Sequence, residues 1–107
     1  MDQLADEPRA RLSVAADAER VRVRLAGELD IASLAELQPE LDALLRRPRQ
    51  PLLLDLAELR FMDSSGVAIL IRLANHFGTV ESRGATVAVR RVVETLGLSG
   101  RFGLDGS

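Results

Sequence analysis

Apolar and polar residues alternate along the first third of the chain in the way that strands require. Residues 12–16 predict a first strand, and Asp17 to Arg20 predict a hairpin turn. Residues 21–25 alternate valine or leucine with arginine, which predicts a second strand with one buried face. Gly27 is expected to end that strand. The segment therefore predicts a β-hairpin.

Apolar residues then recur at helical spacing. The stripe comprises Ile31, Leu34, Leu37, Leu41 and Leu44. Asp30 is a candidate N-cap, and Ser33 with Glu36 offers an alternative capping box. Pro48 and Pro51 are expected to end this helix and to open the next strand.

The middle of the chain predicts a buried strand followed by a second helix. Residues 52–56 are apolar at almost every position, which is typical of a strand buried on both faces. The helix stripe comprises Val67, Leu70, Ile71, Ala74 and Phe77. Ile69 and Leu73 lie off this stripe, and Gly78 is expected near the helix end.

Residues 85–89 predict a further strand and residues 92–98 a short helix. Strands and helices alternate after Asp30, so the fold class is α/β with a mixed sheet of four to five strands and helices packed against it. We expect one domain over residues 11–104. Residues 1–10 are expected to be disordered and residues 105–107 to form a flexible tail.

Composition narrows the class of protein. The 107 residues are 47% hydrophobic and 28% charged, as in ordinary globular domains. No apolar run approaches the roughly 18 residues of a membrane-spanning helix, so we expect no membrane insertion. The first residues lack the basic and apolar regions of a secretory signal, so a cytoplasmic location is expected. The chain has no cysteine, which excludes disulfides and thiolate chemistry.

Charge and motif content argue against nucleic-acid, metal and cofactor binding. The net charge is −2, and tryptophan and tyrosine, the usual base-stacking residues, are absent. No metal-ligand spacing is recognisable. The glycine-rich motifs of nucleotide-binding proteins are missing as well. We expect no direct nucleic-acid partner, no metal and no cofactor.

The segment Phe61-Met62-Asp63-Ser64-Ser65-Gly66-Val67 carries the candidate chemistry. It places two serines where a strand gives way to a helix N-terminus, whose unpaired N–H groups and partial positive charge suit a phosphate. A phosphorylated serine could be held there without disrupting the fold. The alternative is that Asp63, Ser64 or Ser65 simply caps the helix.

A serine hydrolase is the obvious enzymatic alternative. It needs a general base beside the nucleophile. The only histidine, His76, lies about three helical turns beyond Ser64, roughly 18 Å along a helix axis. No Gly-x-Ser-x-Gly elbow is present either. We therefore expect a protein that is not an enzyme, with His76 solvated near a helix end.

Three segments in order carry a family resemblance. They are residues 27–30 (Gly-Glu-Leu-Asp), residues 61–66, and residues 89–102 from Val-Arg-Arg-Val-Val-Glu to Gly-Leu-Ser-Gly-Arg-Phe. Together they resemble the STAS domain, the sulfate-transporter and anti-sigma-factor-antagonist domain, and most closely its stand-alone bacterial anti-sigma factor antagonists. The segment between Gly84 and Val89 is shorter than is usual in that family, so the last strand or the entry to its helix is expected to be abbreviated.

The resemblance implies a regulatory function. Such antagonists bind an anti-sigma factor, often a serine kinase, and so free a sigma factor to direct transcription. The kinase phosphorylates the first serine of the pair, here Ser64, and a PP2C-type phosphatase reverses this. The alternative is an accessory STAS subunit of a membrane transporter or sensor assembly without a phosphorylation cycle.

The resemblance also implies a partner-binding surface. It comprises Glu28, Leu29, Asp30, Asp63, Ser64, Ser65 and Gly66. Simpler alternative roles are a helix cap for Asp30, core packing for Leu29 and its neighbour Ile31, and a local turn for Gly66.

Overall fold

The computed structural model describes residues 9–104. Of the segment 1–10 that was expected to be disordered, residues 1–8 lie outside the described residues, as does the predicted tail at 105–107. Ala10, within that segment, is buried and begins the first strand. The elements are β1 (Ala10–Ala16), β2 (Val21–Leu29), α1 (Ile31–Leu45), β3 (Leu52–Met62), α2 (Ser64–Phe77), β4 (Val80–Arg83) and α3 (Val87–Thr95). The described residues thus form a four-stranded mixed sheet with three helices, which confirms the predicted α/β class.

The strands lie in the sheet in chain order. β1 pairs antiparallel with β2, β2 parallel with β3, and β3 parallel with β4. The predicted hairpin turn joins β1 to β2, and its Asp17 carboxylate accepts the N–H groups of Glu19 and Arg20 at 2.8 and 3.0 Å. These bonds lower the pKa of Asp17.

One face of the sheet carries the core, and the other is largely exposed, although Leu53 on that face is buried. Val21, Val23 and Leu25 are fully buried, whereas the intervening Arg22 and Arg24 are exposed. Both parallel crossovers run in the same direction, and such crossovers are right-handed, so α1 and α2 lie on the same face. Buried residues of α3 belong to the same core cluster. The opposite face, called here the open face, carries no helix among residues 9–104.

Three predicted strand boundaries are wrong, and the first is the start of β1, which lies at Ala10 instead of residue 12. β2 does not end at Gly27 but continues to Leu29. Gly27 adopts a φ of +90° and still pairs with Ala10 of β1 and Leu59 of β3, so it bends the strand without ending it. A β-carbon on Gly27 would stand 2.1 Å from the Arg9 carbonyl oxygen. The β2–β3 register shifts around this position, and β3 is correspondingly longer than predicted, reaching Met62.

The last strand and helix were predicted too late in the chain. Residues 85–89 are not a strand: β4 lies at Val80–Arg83, where it follows α2 closely enough to pair with β3. Gly84 then turns the chain at a φ of +73°. Thr86 caps α3 by accepting the Val89 N–H at 3.3 Å, so the helix begins before residue 92 and ends at Thr95.

Helix burial departs from the predicted stripes at five residues, one of which is Leu34, which is only partly buried. Ile69 and Leu73, predicted off the α2 stripe, are buried, whereas Ile71 is only partly buried. Ile31 is 75% exposed because it is the first residue of α1 and lies beyond the core. Asp30, rather than the Ser33–Glu36 pair, forms the capping box of α1.

Candidate functional site

The carboxyl ends of β2 and β3 lie side by side at one edge of the sheet. Leu29 pairs in register with Met62, and the Asp63 N–H donates to the Leu29 carbonyl at 3.1 Å. Asp30 and Asp63 each follow a strand directly and each cap the next helix. Parallel pairing therefore brings the two aspartate loops together at the same edge of the sheet.

Asp63 and Ser64 begin α2 with different roles. The Asp63 carboxylate accepts the N–H groups of Ser65 and Gly66 at 2.9 and 3.3 Å. Ser64 is the first helical residue and is exposed, and its hydroxyl makes no hydrogen bond with the rest of the described chain. Ser65 is partly buried. Of the two serines, Ser64 presents the more accessible hydroxyl.

The Asp63 carboxylate already accepts hydrogen bonds from part of the N-terminus of α2. Two of its first-turn N–H groups bond the Asp63 carboxylate, so a phosphate on Ser64 would share this helix end with a carboxylate. The helix dipole favours the added negative charge, whereas Asp63 repels it.

Asp30 is held in a hydrogen-bonded and charged cluster. Its carboxylate accepts the Ser33 N–H at 2.9 Å, and the Ser33 hydroxyl accepts the Asp30 N–H at 3.0 Å. The other carboxylate oxygen pairs with Arg9 at 2.5 Å. The bond from the Ser33 N–H lowers the pKa of Asp30, and the Arg9 guanidinium lowers it further, whereas burial opposes both effects.

Arg9 also joins Glu28 to this cluster. Its guanidinium lies 3.3 Å from the Glu28 carboxylate, and the Glu28 N–H donates to the Arg9 carbonyl at 2.9 Å. The Glu28 side chain stays 41% exposed. The Asp30 side chain is only 19% exposed, so Glu28 is the more accessible of the two, and both are already paired with a cation.

Leu29 and Gly66 lie beneath this edge, not on it. Leu29 is fully buried and Gly66 is buried. A β-carbon on Gly66 would stand 2.5 Å from the Met62 side chain and 2.8 Å from the Leu29 β-carbon. Gly66 thus allows α2 to pack closely on the end of β2. Both residues shape the edge but do not offer a side chain to a partner.

Two exposed apolar side chains lie within two residues of the aspartate caps Asp30 and Asp63, and the sequence did not predict them as part of the site. Ile31 is 75% and Phe61 49% exposed. Phe61 pairs with Glu28 on the open face. The alternation of side chains along a strand could have predicted the exposure of Phe61, because Met62 is buried and adjacent side chains point to opposite faces. The exposed and partly buried residues at this edge are called here the Ser64 surface: Glu28, Asp30, Ile31, Phe61, Asp63, Ser64 and Ser65.

His76 lies near the far end of α2 from Ser64. It is partly buried, and its Nε2 donates to the Arg47 carbonyl at 2.8 Å, so the expectation of a solvated histidine was wrong. The residue connects the ends of α1 and α2. It is not placed to act as a base for Ser64.

Other site types find no support within the described residues. Over residues 9–104, no group of three histidine, cysteine or acidic side chains is placed to hold a metal ion. No helix in the same range is long and apolar enough to cross a membrane.

A family model described as "Mlab, STAS domain" matches residues 12–104 of the chain. The match covers every element of the fold except the first residues of β1. No curated protein matches the sequence.

Solved structures of anti-sigma factor antagonists share the fold. One from Mycobacterium paratuberculosis is 24% identical, with a TM-score of 0.74, over 92% of this chain and 86% of that one. Unphosphorylated SpoIIAA is 23% identical, with a TM-score of 0.68, over 86% and 85% of the two chains. The Bacillus cell fate determinant SpoIIAA in its phosphorylated form is 21% identical, with a TM-score of 0.62, over 86% and 88%.

Proposed function

The chain belongs to the STAS domain family, and from that premise we propose that it is an anti-sigma factor antagonist switched off by phosphorylation of Ser64. Its partner would be an anti-sigma factor with serine kinase activity. A PP2C-type phosphatase would restore the active form. The protein would regulate sigma-factor-dependent transcription in the cytoplasm as a substrate and a switch, not as an enzyme. The structural neighbours, themselves anti-sigma factor antagonists, support this role.

The exposure of Ser64 at the start of α2 is the observation that carries the proposal. Its hydroxyl is exposed and makes no hydrogen bond with the rest of the described chain. The Ser64 surface also carries charged and apolar side chains. A kinase can reach such a hydroxyl without unfolding the helix, and the surrounding side chains suit a protein interface.

Electrostatics provides the switch. The kinase would transfer the γ-phosphoryl group of ATP to the Ser64 oxygen, with release of ADP and the hydroxyl proton. The phosphate adds about −1.5 to −2 charges beside Asp63. If the phosphate lies in an interface, it must lose its hydration and is repelled by nearby carboxylates. Placing like charges together across an interface costs several kcal/mol. Every 1.4 kcal/mol is a tenfold loss of affinity.

Phosphorylation by the cognate anti-sigma kinase tests the proposal. We expect incubation with ATP to add one phosphate, peptide mapping to place it on Ser64, and Ser64→Ala to abolish it. Ser65→Ala, the matched control, should still accept the phosphate. Mapping to Ser65, or an unaffected Ser64→Ala protein, would overturn the assignment.

The accessory-subunit alternative uses the same surface differently. In that case the Ser64 surface would dock a transporter or sensor subunit, and no kinase would modify Ser64. Partners co-purified from the native host separate the two functions. Recovery of a transporter subunit together with an unmodified Ser64 would favour the alternative.

A further inference from the structure

A cleft on the open face lies beside the Ser64 surface. It has a volume of about 430 Å³ and lies over Ala26 and Gly27 of β2. Arg11 of β1 and Glu58 of β3 are the cross-strand neighbours of Ala26. The cleft exists because two small residues of the central strand lie between long side chains of its neighbours. We call it the arginine cleft, lined by Arg9, Arg11, Ala26, Gly27, Glu58 and Arg60.

The lining of the arginine cleft is mainly cationic. It contains three arginines and one glutamate. Arg9 is paired with Glu28 and Asp30, whereas Arg11 and Arg60 are exposed and form no hydrogen bond or ion pair with other described residues. The planar guanidinium group can bond a carboxylate through two parallel N–H groups. Arg11 and Arg60 therefore provide two open positions for carboxylates.

A single small ion would be held weakly in the arginine cleft. The cleft opens to solvent, where water and salt screen a single ion pair so that it contributes little affinity. The volume exceeds that of one carboxylate, and Glu58 disfavours a compact dianion. A peptide segment with several carboxylates can bind more tightly. Once its first carboxylate is bound, the next binds intramolecularly and loses little further translational entropy.

The cleft is continuous with the Ser64 surface. Arg9 lines the cleft and pairs with both Glu28 and Asp30 of that surface. We propose that the arginine cleft binds an acidic segment of the same protein partner that docks at Ser64. The inference rests on the proposed function and extends the interface onto the open face. A carboxylate near Arg9 would also compete with Glu28 and Asp30 for its guanidinium.

A synthetic hexaglutamate peptide tests the cleft without the partner. In an NMR titration of the isotope-labelled protein, we expect saturable shifts at the amides of Arg11, Ala26, Gly27 and Arg60. The dissociation constant should rise with salt. Inorganic phosphate at equal charge should give no saturable shift there. Saturation by phosphate, or shifts spread evenly over all arginines, would overturn the proposal.

Charge-reversal variants localise the effect. Arg11→Glu and Arg60→Glu should each weaken peptide binding about tenfold, since each replaces an attraction by a repulsion. Arg83→Glu is the matched control, because Arg83 of β4 is exposed on the open face of the sheet but lies outside the cleft. It should retain affinity within about twofold, as expected for screened charges. An equal loss in all three variants would contradict the proposal.

Binding to the cognate anti-sigma kinase separates failure of this inference from failure of the proposed function. We expect Arg60→Glu to weaken that complex about tenfold while Arg83→Glu does not. Unchanged affinity in Arg60→Glu, with Ser64→Asp impaired, would overturn the cleft and leave the function standing. Normal binding by Ser64→Asp, with Arg60→Glu impaired, would overturn the phosphorylation switch and support the cleft.

Discussion

At Gly66, the space that a β-carbon would occupy is already filled by Met62 and Leu29. Glycine inside a helix normally costs about 1 kcal/mol relative to alanine, so Gly66→Ala would stabilise an isolated helix. Here we expect it to destabilise the fold by about 1–3 kcal/mol, as overpacking does. Chemical denaturation followed by circular dichroism measures this change.

Ser65→Ala provides the control for Gly66→Ala, since Ser65 is partly exposed in the same turn. Its stability should stay within about 0.5 kcal/mol of wild type. A Gly66→Ala protein as stable as wild type would show that α2 can move away from β2. The close approach of helix and strand would then not be required.

Asp30 supports a prediction on pH dependence. Its pKa is lowered in the folded state, chiefly by the Ser33 N–H and then by Arg9. Its charge therefore adds stability above the unfolded-state pKa of about 3.9, and this stability is lost as pH falls through the lower folded-state pKa. Asn caps helices about as well as Asp, so Asp30→Asn removes mainly the charge.

The measurement is a series of thermal melts from neutral to acidic pH. Asp30→Asn should unfold at a lower temperature than wild type above about pH 5, and the difference should vanish at the acidic end. Glu40→Gln, which alters an exposed acid on the same helix, controls for net charge. A difference that persists unchanged at the lowest pH would mean that packing, not charge, distinguishes the two proteins.

Among the secondary-structure elements, α1 contains an exposed proline, Pro39, in its interior. Proline has no N–H, so the carbonyl of Ala35 lacks its usual i+4 donor. Pro39→Ala should raise the free energy of unfolding by about 1–2 kcal/mol, since the helix gain exceeds the added entropy of the unfolded chain. Differential scanning calorimetry would detect this as a higher Tm.

Pro48→Ala is the matched control, because Pro48 lies between α1 and β3 outside regular structure. It should be neutral or slightly destabilising, since only the unfolded chain gains freedom. An equal gain in both variants would show that the stabilisation does not come from the helix. A loss in Pro39→Ala would show that the local distortion is needed for packing.

At the scale of the whole molecule, we expect a negative charge at position 64 to weaken partner binding strongly and to change the stability of the fold little. Ser64→Asp should change Tm by no more than about 2–4 °C, because the residue is exposed and negative charge is tolerated at a helix N-terminus. The affinity of the Ser64→Asp protein for the anti-sigma factor should be at least about tenfold lower than that of the unphosphorylated wild type. Ser64→Asn, similar in size but uncharged, should lose much less.

Isothermal titration calorimetry on the folded variants, together with thermal melts, separates the two effects. A large fall in Tm with unchanged affinity would contradict the switch. Equal affinity losses for Ser64→Asp and Ser64→Asn would indicate that side-chain size, not charge, disrupts the complex.

Local pattern determined the order and class of the elements. The hairpin, the two long helices and their aspartate caps follow from spacing and residue type over a few neighbours. The same reasoning placed β4 and α3 wrongly, because residues 85–89 fit a strand and a helix start about equally well. Pairing with β3 decided between them by placing the strand at Val80–Arg83.

The sequence by itself also indicated the candidate site, since Asp63-Ser64-Ser65 at a strand-to-helix junction is a local signal. Only the tertiary structure brought Asp30 beside Asp63, buried Leu29 and Gly66, and left Ile31 and Phe61 exposed. It alone formed the arginine cleft across three strands. The physical reason is range: caps and periodicity act within a few residues, whereas register and burial depend on contacts between distant segments.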